Sequence, residues 1–228
     1  MAGHRHLARA PITEAILDIQ VAPRAGATFA DLQNAFVLDF GYRQQSFVVT
    51  GNFGFVVQQD SEVQHTGSAE KIGIRLHSHD EKYVALVRTN GLSLSRLAPY
   101  EDWDTLEAQA RTLWDIYAKR WSPDKVTRLA TRYINNLRLP VKLGQSFSDF
   151  IDTLTQLPAD VPQNVGPFVQ QFVCMDPNGE NHVRLALAWN GQFENDRLPV
   201  ILDIDAFRVQ DFKPDDPIIW ATFGKLRD

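Results

Sequence analysis

Apolar and polar residues alternate with a period of two along much of this chain, and the longest such run lies at its midpoint. From Pro123 to Pro140 the segment PDKVTRLATRYINNLRLP reads as one β-strand. Successive side chains of a strand point to opposite faces. Leu129, Thr131, Tyr133, Asn135, Leu137 and Leu139 share one face, which suits a core. Arg128, Ala130, Arg132, Ile134, Asn136 and Arg138 share the other, which suits water, an anion or an acidic neighbouring strand. One-sided burial of this kind marks an antiparallel sheet, since strands of a doubly wound parallel sheet are apolar on both faces.

The other elements follow from the same periodicities. PITEAILDIQVAP (11–23) is a strand with Ala15, Leu17, Ile19 and Val21 on one face. Thr28 caps a short helix through Phe29, Leu32 and Phe36, with Asp31 favourable in its first turn. SFVVTGNFGFVVQQ (46–59) is a strand with a bulge or bend expected at Gly51 or Gly54. KIGIRLHS, YVALVRTN and LSLSRLA are short strands separated by the turns HDEK and Asn90-Gly91. From Trp103 the apolar positions Leu106, Ala110, Leu113, Trp114, Tyr117 and Trp121 recur at helical spacing, and Ser122-Pro123 ends that helix. Its aromatic stripe is suited to lie across a sheet, with Trp103 and Trp114 as large core anchors. After the central strand, Ser146 opens a second short helix through Leu154, and residues 157–167 form a Pro-rich loop. FVQQFVCM, HVRLALAWN and LPVILDIDAFRV are strands, and Asp216-Pro217 starts a last helix.

The same order of elements occurs twice. At an offset of 118 residues, Thr28-Phe29-Ala30-Asp31-Leu32 falls on Ser146-Phe147-Ser148-Asp149-Phe150. Ala15, Leu17, Ile19 and Val21 fall on Tyr133, Asn135, Leu137 and Leu139, so strand parity is kept. The expected fold is α+β: two duplicated β-α-β(3–4)-α units, residues 1–122 and 123–228, packed as one globular unit. They would form a curved, mostly antiparallel sheet with two long helices on one face. That order resembles the saddle of TATA-box-binding proteins and the ligand-binding modules related to bacterial multidrug-sensing regulators, a likeness of fold that does not give function.

Four stretches carry a further resemblance: APITEAILDI near the start, SRLAPYEDWDTL in the middle, RYINNLRLP at the centre and the late Trp-containing helix. Together they are similar to a sporadically distributed family of bacterial proteins of unknown function. The resemblance covers most of the chain through its PYxxW and RYxN signatures. It implies a bacterial protein whose relatives continue past residue 228, and it supplies no catalytic residues.

Composition narrows the function classes. Of 228 residues, 44% are hydrophobic and 22% charged, ordinary for a globular protein. The net charge of −5 is spread evenly: residues 1–120 carry 12 basic and 14 acidic side chains, residues 121–228 carry 11 and 14. Neither half is a basic module, which disfavours unspecific nucleic-acid binding. The single cysteine, Cys174, rules out an internal disulfide, and its apolar run reads as a buried structural thiol. No apolar run approaches the ~20 residues of a membrane helix, and MAGHRHLARAP lacks the hydrophobic core of a signal peptide. A cytoplasmic protein outside the membrane is expected, with no cofactor.

Candidate chemistry is sparse. GNFGF has neither the spacing nor the Lys-Ser/Thr of a phosphate loop. His4 and His6 lack acidic company, and His77, His79 and Asp80 abut a polar turn. Ser93, Ser95 and Arg96 have no histidine placed beside them. Asp203 and Asp205 share one face of LDID and are the carboxylates a metal-assisted hydrolase would use. The candidate ligand-binding residues are Arg128, Arg132, Asn136 and Arg138. The arginines form either an anion-binding surface or cross-strand pairs with Glu14 and Asp18 of the first strand. The leading functional expectation is a non-enzymatic accessory or regulatory protein that binds a small molecule or a protein partner. The alternatives are the hydrolase and a nucleic-acid-binding saddle, which the acidic balance disfavours. The last helix is short, so Leu185, Leu187 and Trp189 are expected to lie exposed unless a longer chain or a second copy in a homodimer covers them.

Overall fold

The computed structural model describes residues 10–36, 41–56, 64–141, 145, 149–151, 160, 166–194 and 197–228. The elements in chain order are β1 (Ile12–Ala22), α1 (Phe29–Ala35), β2 (Tyr42–Val56), β3 (Gln64–Ser78), β4 (Tyr83–Arg88), β5 (Gly91–Leu97) and α2 (Trp103–Trp121). They continue with β6 (Lys125–Leu139), β7 (Phe168–Met175), β8 (Asn181–Trp189), β9 (Leu198–Phe212) and α3 (Ile218–Arg227). All nine strands join one sheet in the order β2-β3-β4-β5-β1-β6-β9-β8-β7. Every pairing is antiparallel. The fold is therefore α+β with one large antiparallel sheet.

The predicted central strand lies between β1 and β9, at the middle of the sheet. Its apolar face carries the core: Leu129 and Thr131 are buried, and Ala15, Leu17, Ile19 and Val21 of β1 lie on the same side. Both α2 and α3 pack on this face, in one cluster with Leu17, Leu129 and Ala206. Asp102 accepts the Thr105 N–H at 2.7 Å and starts α2. The left-handed Ser122, at φ 50°, ends it. The aromatic stripe of α2 is anchored by its polar tips. Trp121 Nε1 donates to the Thr89 carbonyl, Tyr117 Oη to that of Arg88 and Trp114 Nε1 to that of Pro214. Aromatic bodies supply buried area while these groups fix direction. Helix α1 is closed by the capping box of Thr28 and Asp31. In α3, Pro217 is already helical and the Asp216 carboxylate accepts the Ile218 N–H. The predicted cap pair thus operates there.

Several expectations are corrected. Strand β2 shifts register between Gln44 and Ser46 and between Val48 and Val49, while pairing runs unbroken through Gly51 and Gly54. Leu187 and Trp189 are buried and Leu185 is half-buried. Leu187 and Trp189 belong to a second cluster with Val141, Ile151, Leu198 and Val200, in which the chain after β6 covers this end of the sheet face. The exposed strand is β7, and Cys174 on it is exposed, against the expected buried thiol. An apolar run reads as interior, but topology puts this one at an edge. Helix α3 is short as expected, with 10 residues against 19 in α2. The helix expected from Ser146, the loop at 157–167 and the histidines His4 and His6 lie largely or wholly outside the described residues.

Candidate functional site

The sheet face opposite α2 and α3 is crossed by a row of alternating charges. Strand register brings it together. Ser93 of β5 stands opposite Asp18 of β1, Asp18 opposite Ala130 of β6, Arg132 opposite Asp205 of β9, and Asp205 opposite Arg184 of β8. All these side chains share one face. Arg88 of β4 reaches across β5 and donates to Asp18 Oδ1. Arg128 donates to Asp18 Oδ2 at 3.4 Å and to both oxygens of Asp205 at 2.9 and 3.2 Å. Arg184 lies 3.6 Å from Asp205 Oδ2. Three guanidiniums thus share two carboxylates, while Glu14 on the same face acts on Arg132 beside its Asp203 pair.

Local sequence makes room for this row. Arg88 stands opposite Gly73 of β3 and Gly91 of β5. A Cβ on Gly73 would come within 2.8 Å of the Arg88 Cγ. Gly91 has φ +152°, and a Cβ there would lie 2.3 Å from the Ile19 carbonyl. Aromatic rings support the middle of the row. The Arg128 guanidinium sits 4.5 Å over the Phe207 ring, and His182 stacks on the same ring with centroids 5.1 Å apart.

The four sequence-derived candidates all occupy this face, with different engagement. Arg128 is mostly buried in the row. Arg132 is half-exposed and makes a bidentate pair with Asp203, at 2.8 and 2.6 Å. The Asp203 hydrogen bonds, ahead of opposing burial, raise the Arg132 pKa above its ordinary value. Arg138 is exposed, 3.7 Å from Glu194. Asn136 is half-buried, and its Oδ1 has no hydrogen-bond partner. β1 does lie beside β6, and Asp18 does meet an arginine. Among the β6 arginines that one is Arg128, alongside Arg88 of β4, while Arg132 donates its hydrogen bonds to β9.

Four buried side-chain atoms lack a partner among the described residues: Arg88 Nε, Thr131 Oγ1, Asn136 Oδ1 and His182 Nδ1. By strand parity all but Thr131 belong to the open face. His182 and Arg184 of this face were not singled out in the sequence. Their i, i+2 spacing opposite Asp205 was the available signal.

The remaining candidates separate. Ser93 and Ser95 share the open face, whereas Arg96 points to the other side, buried. There it donates to the Leu97 carbonyl and to Glu101. His77 accepts from Arg75 Nε, and Asp80 accepts from Ser78 and from the Lys82 N–H. His79 is an exposed turn residue. Asp203 and Asp205 are committed to guanidiniums. Among the described residues no group of three or more His, Cys, Asp or Glu side chains is placed to hold a metal ion. No helix among them is long and apolar enough to cross a membrane. No family model and no curated protein matches the chain.

Proposed function

We propose that this protein is a non-enzymatic binding protein whose open sheet face takes a small anionic ligand, one carrying a carboxylate or phosphate group. The observation that carries this reading is the pair of unpartnered nitrogens on that face, Arg88 Nε and His182 Nδ1. A buried polar atom without a partner costs about 1–3 kcal/mol, which a ligand group can recover. The sharing of two carboxylates by three guanidiniums supports an anion as the ligand. Of the three arginines of the row, Arg184 is the most free to turn toward it, since it is 47% exposed and held at 3.6 Å. Arg132, Asn136 and Arg138 extend the surface along β6. The engagement of Asp203 and Asp205 by arginines supports binding over metal-assisted hydrolysis.

The architecture fits a duplicated ancestor. β1 and β6, equivalent in the 118-residue repeat, are neighbours at the sheet centre, with Ala15 opposite Tyr133. We read the two halves as repeats that meet there, and the resemblance to the sporadically distributed bacterial family rests on the quoted motifs. The test is a thermal-shift and calorimetric series with inorganic phosphate, citrate and a nucleoside monophosphate. A ligand at 100 times its Kd adds about 2.7 kcal/mol, a rise of roughly 5–11 °C for a chain of this size. Arg184→Ala should weaken the effect at least several-fold without changing the fold. No stabilisation by any of these anions, or equal stabilisation of Arg184→Ala, would overturn the reading.

A further inference from the structure

The two margins of the sheet differ. At the β2 margin the pairing with β3 is irregular: β2 carries an extra residue between Gln44 and Ser46, and β3 carries one, Ile72, opposite Val48 and Val49. Bulges of this kind twist an edge away from further pairing. The other margin, β7, has none: its eight residues FVQQFVCM pair with β8 in unbroken register from Phe168 to Met175. It contains no charged residue, no proline and no glycine. Phe168 packs into the second cluster, but the strand beyond it is largely exposed. Val169, Val173 and Met175 are 79%, 55% and 67% exposed on one side, and Phe172 is 41% exposed on the other. Long, flat, apolar edges are what monomeric sheet proteins avoid.

We infer that β7 is the interface between two copies of this chain, paired antiparallel edge to edge across a two-fold axis normal to the sheet. The strand's own sequence selects a second copy as the occupant. Such an axis sets residues of the same face opposite each other. Centred on Phe172, it places Phe172 against the partner's Phe172 and Val169 against the partner's Met175. Centred on Gln171, it places Val169 against the partner's Val173 and Gln171 against the partner's Gln171. Each register sets at least one apolar pair on each face, Val169–Met175 and Phe172–Phe172 in the first, Val169–Val173 and Phe168–Cys174 in the second, and no like charges face each other, which self-pairing would otherwise force. An acidic or basic partner would find no complementary charge on this strand. The union would join two nine-stranded sheets through backbone hydrogen bonds, as in strand addition. The inference is independent of the anion-binding reading, because none of the row residues lies on β7.

Light scattering coupled to size-exclusion chromatography over a dilution series tests this. The expected mass at the top of the series is twice 25.8 kDa, falling toward the monomer on dilution. Val173→Lys and Val169→Lys each set an unpaired ammonium on the edge against an uncharged side chain of the partner and should halve the mass at that concentration. Val49→Lys, at a 59% exposed position on the opposite edge, should leave the dimer intact. Circular dichroism and melting of each variant confirm folding. Should Val173→Lys fail to fold, Val169→Lys decides. A monomeric wild type throughout, a dimer that survives both β7 lysines, or one lost with Val49→Lys would overturn the inference.

Discussion

Replacing Asp205 with leucine removes the carboxylate that Arg128 and Arg184 share. Arg128 then loses its bonds at 2.9 and 3.2 Å and keeps Asp18 at 3.4 Å. Its side chain is 18% exposed, so the stranded guanidinium is only partly rehydrated. Removing one partner of a buried ion pair costs about 3–5 kcal/mol. With partial exposure and Asp18 retained, the cost here is about 2 kcal/mol. Arg128→Met is the harsher change, at about 3 kcal/mol. It leaves Asp205, 10% exposed, with only Arg184 at 3.6 Å. The double variant Arg128→Met/Asp205→Leu strands neither member of the pair, and a thioether packs well against the Phe207 ring. Its loss should fall short of the sum of the singles by about 1–2 kcal/mol. Urea melts measure all four proteins, since a non-ionic denaturant leaves the ion pairs unscreened. The singles should melt roughly 4–12 °C below the wild type, at about 2–4 °C per kcal/mol. Singles within about 0.5 kcal/mol of the wild type, or strict additivity, would refute the coupled row.

Other consequences are as direct. Trp114→Ala empties a buried site and leaves the Pro214 carbonyl without its donor; denaturant melts should show a loss of about 3–5 kcal/mol. Gly91→Ala meets a Cβ clash of 2.3 Å on the Ile19 carbonyl, and should cost well over the roughly 1–2 kcal/mol of left-handed strain alone. Gly26→Ala, at φ +75° in open space, should show only that strain. The Thr28 hydroxyl holds the Asp31 carboxyl below its ordinary value, and the Ser78 hydroxyl does the same for Asp80. Both folded-state values are depressed below 3.8, so their stabilisation is present above that pH. It is lost as the pH falls through the lower, folded values. Thr28→Ala and Ser78→Ala should flatten this acid limb of a stability–pH curve, and an unchanged limb would contradict the assignment.

Local patterns were readable where burial is one-sided. The parity of β1 and β6 separated core from open face correctly because each strand packs helices on one side only. The stripe of α2 was readable because its aromatic positions follow the helical period without interruption. The neighbours of a strand were not readable to the same degree. Arg132 was expected to meet Glu14 or Asp18; Glu14 acts on it through its charge, but its hydrogen bonds go to Asp203, because β6 has a second acidic neighbour, β9, whose placement depends on long-range topology. The same reason misplaced Cys174: FVQQFVCM has the composition of an interior strand, and only the sheet order makes it an edge. Ser93, Ser95 and Arg96 are adjacent in sequence, yet a period of two divides them between faces. The Arg88 crossing over Gly91 required knowing that β5 separates β4 from β1.

The claim that the open face receives an anion is tested most directly by NMR of the arginine Nε–H groups during titration with phosphate or citrate. The account predicts that the signals of Arg88, Arg132 and Arg184 move and saturate together. Arg96, buried on the opposite face with its own carbonyl and carboxylate partners, serves as the internal reference and should stay fixed. Unchanged signals for the three open-face arginines, or a shift of Arg96 equal to theirs, would contradict it.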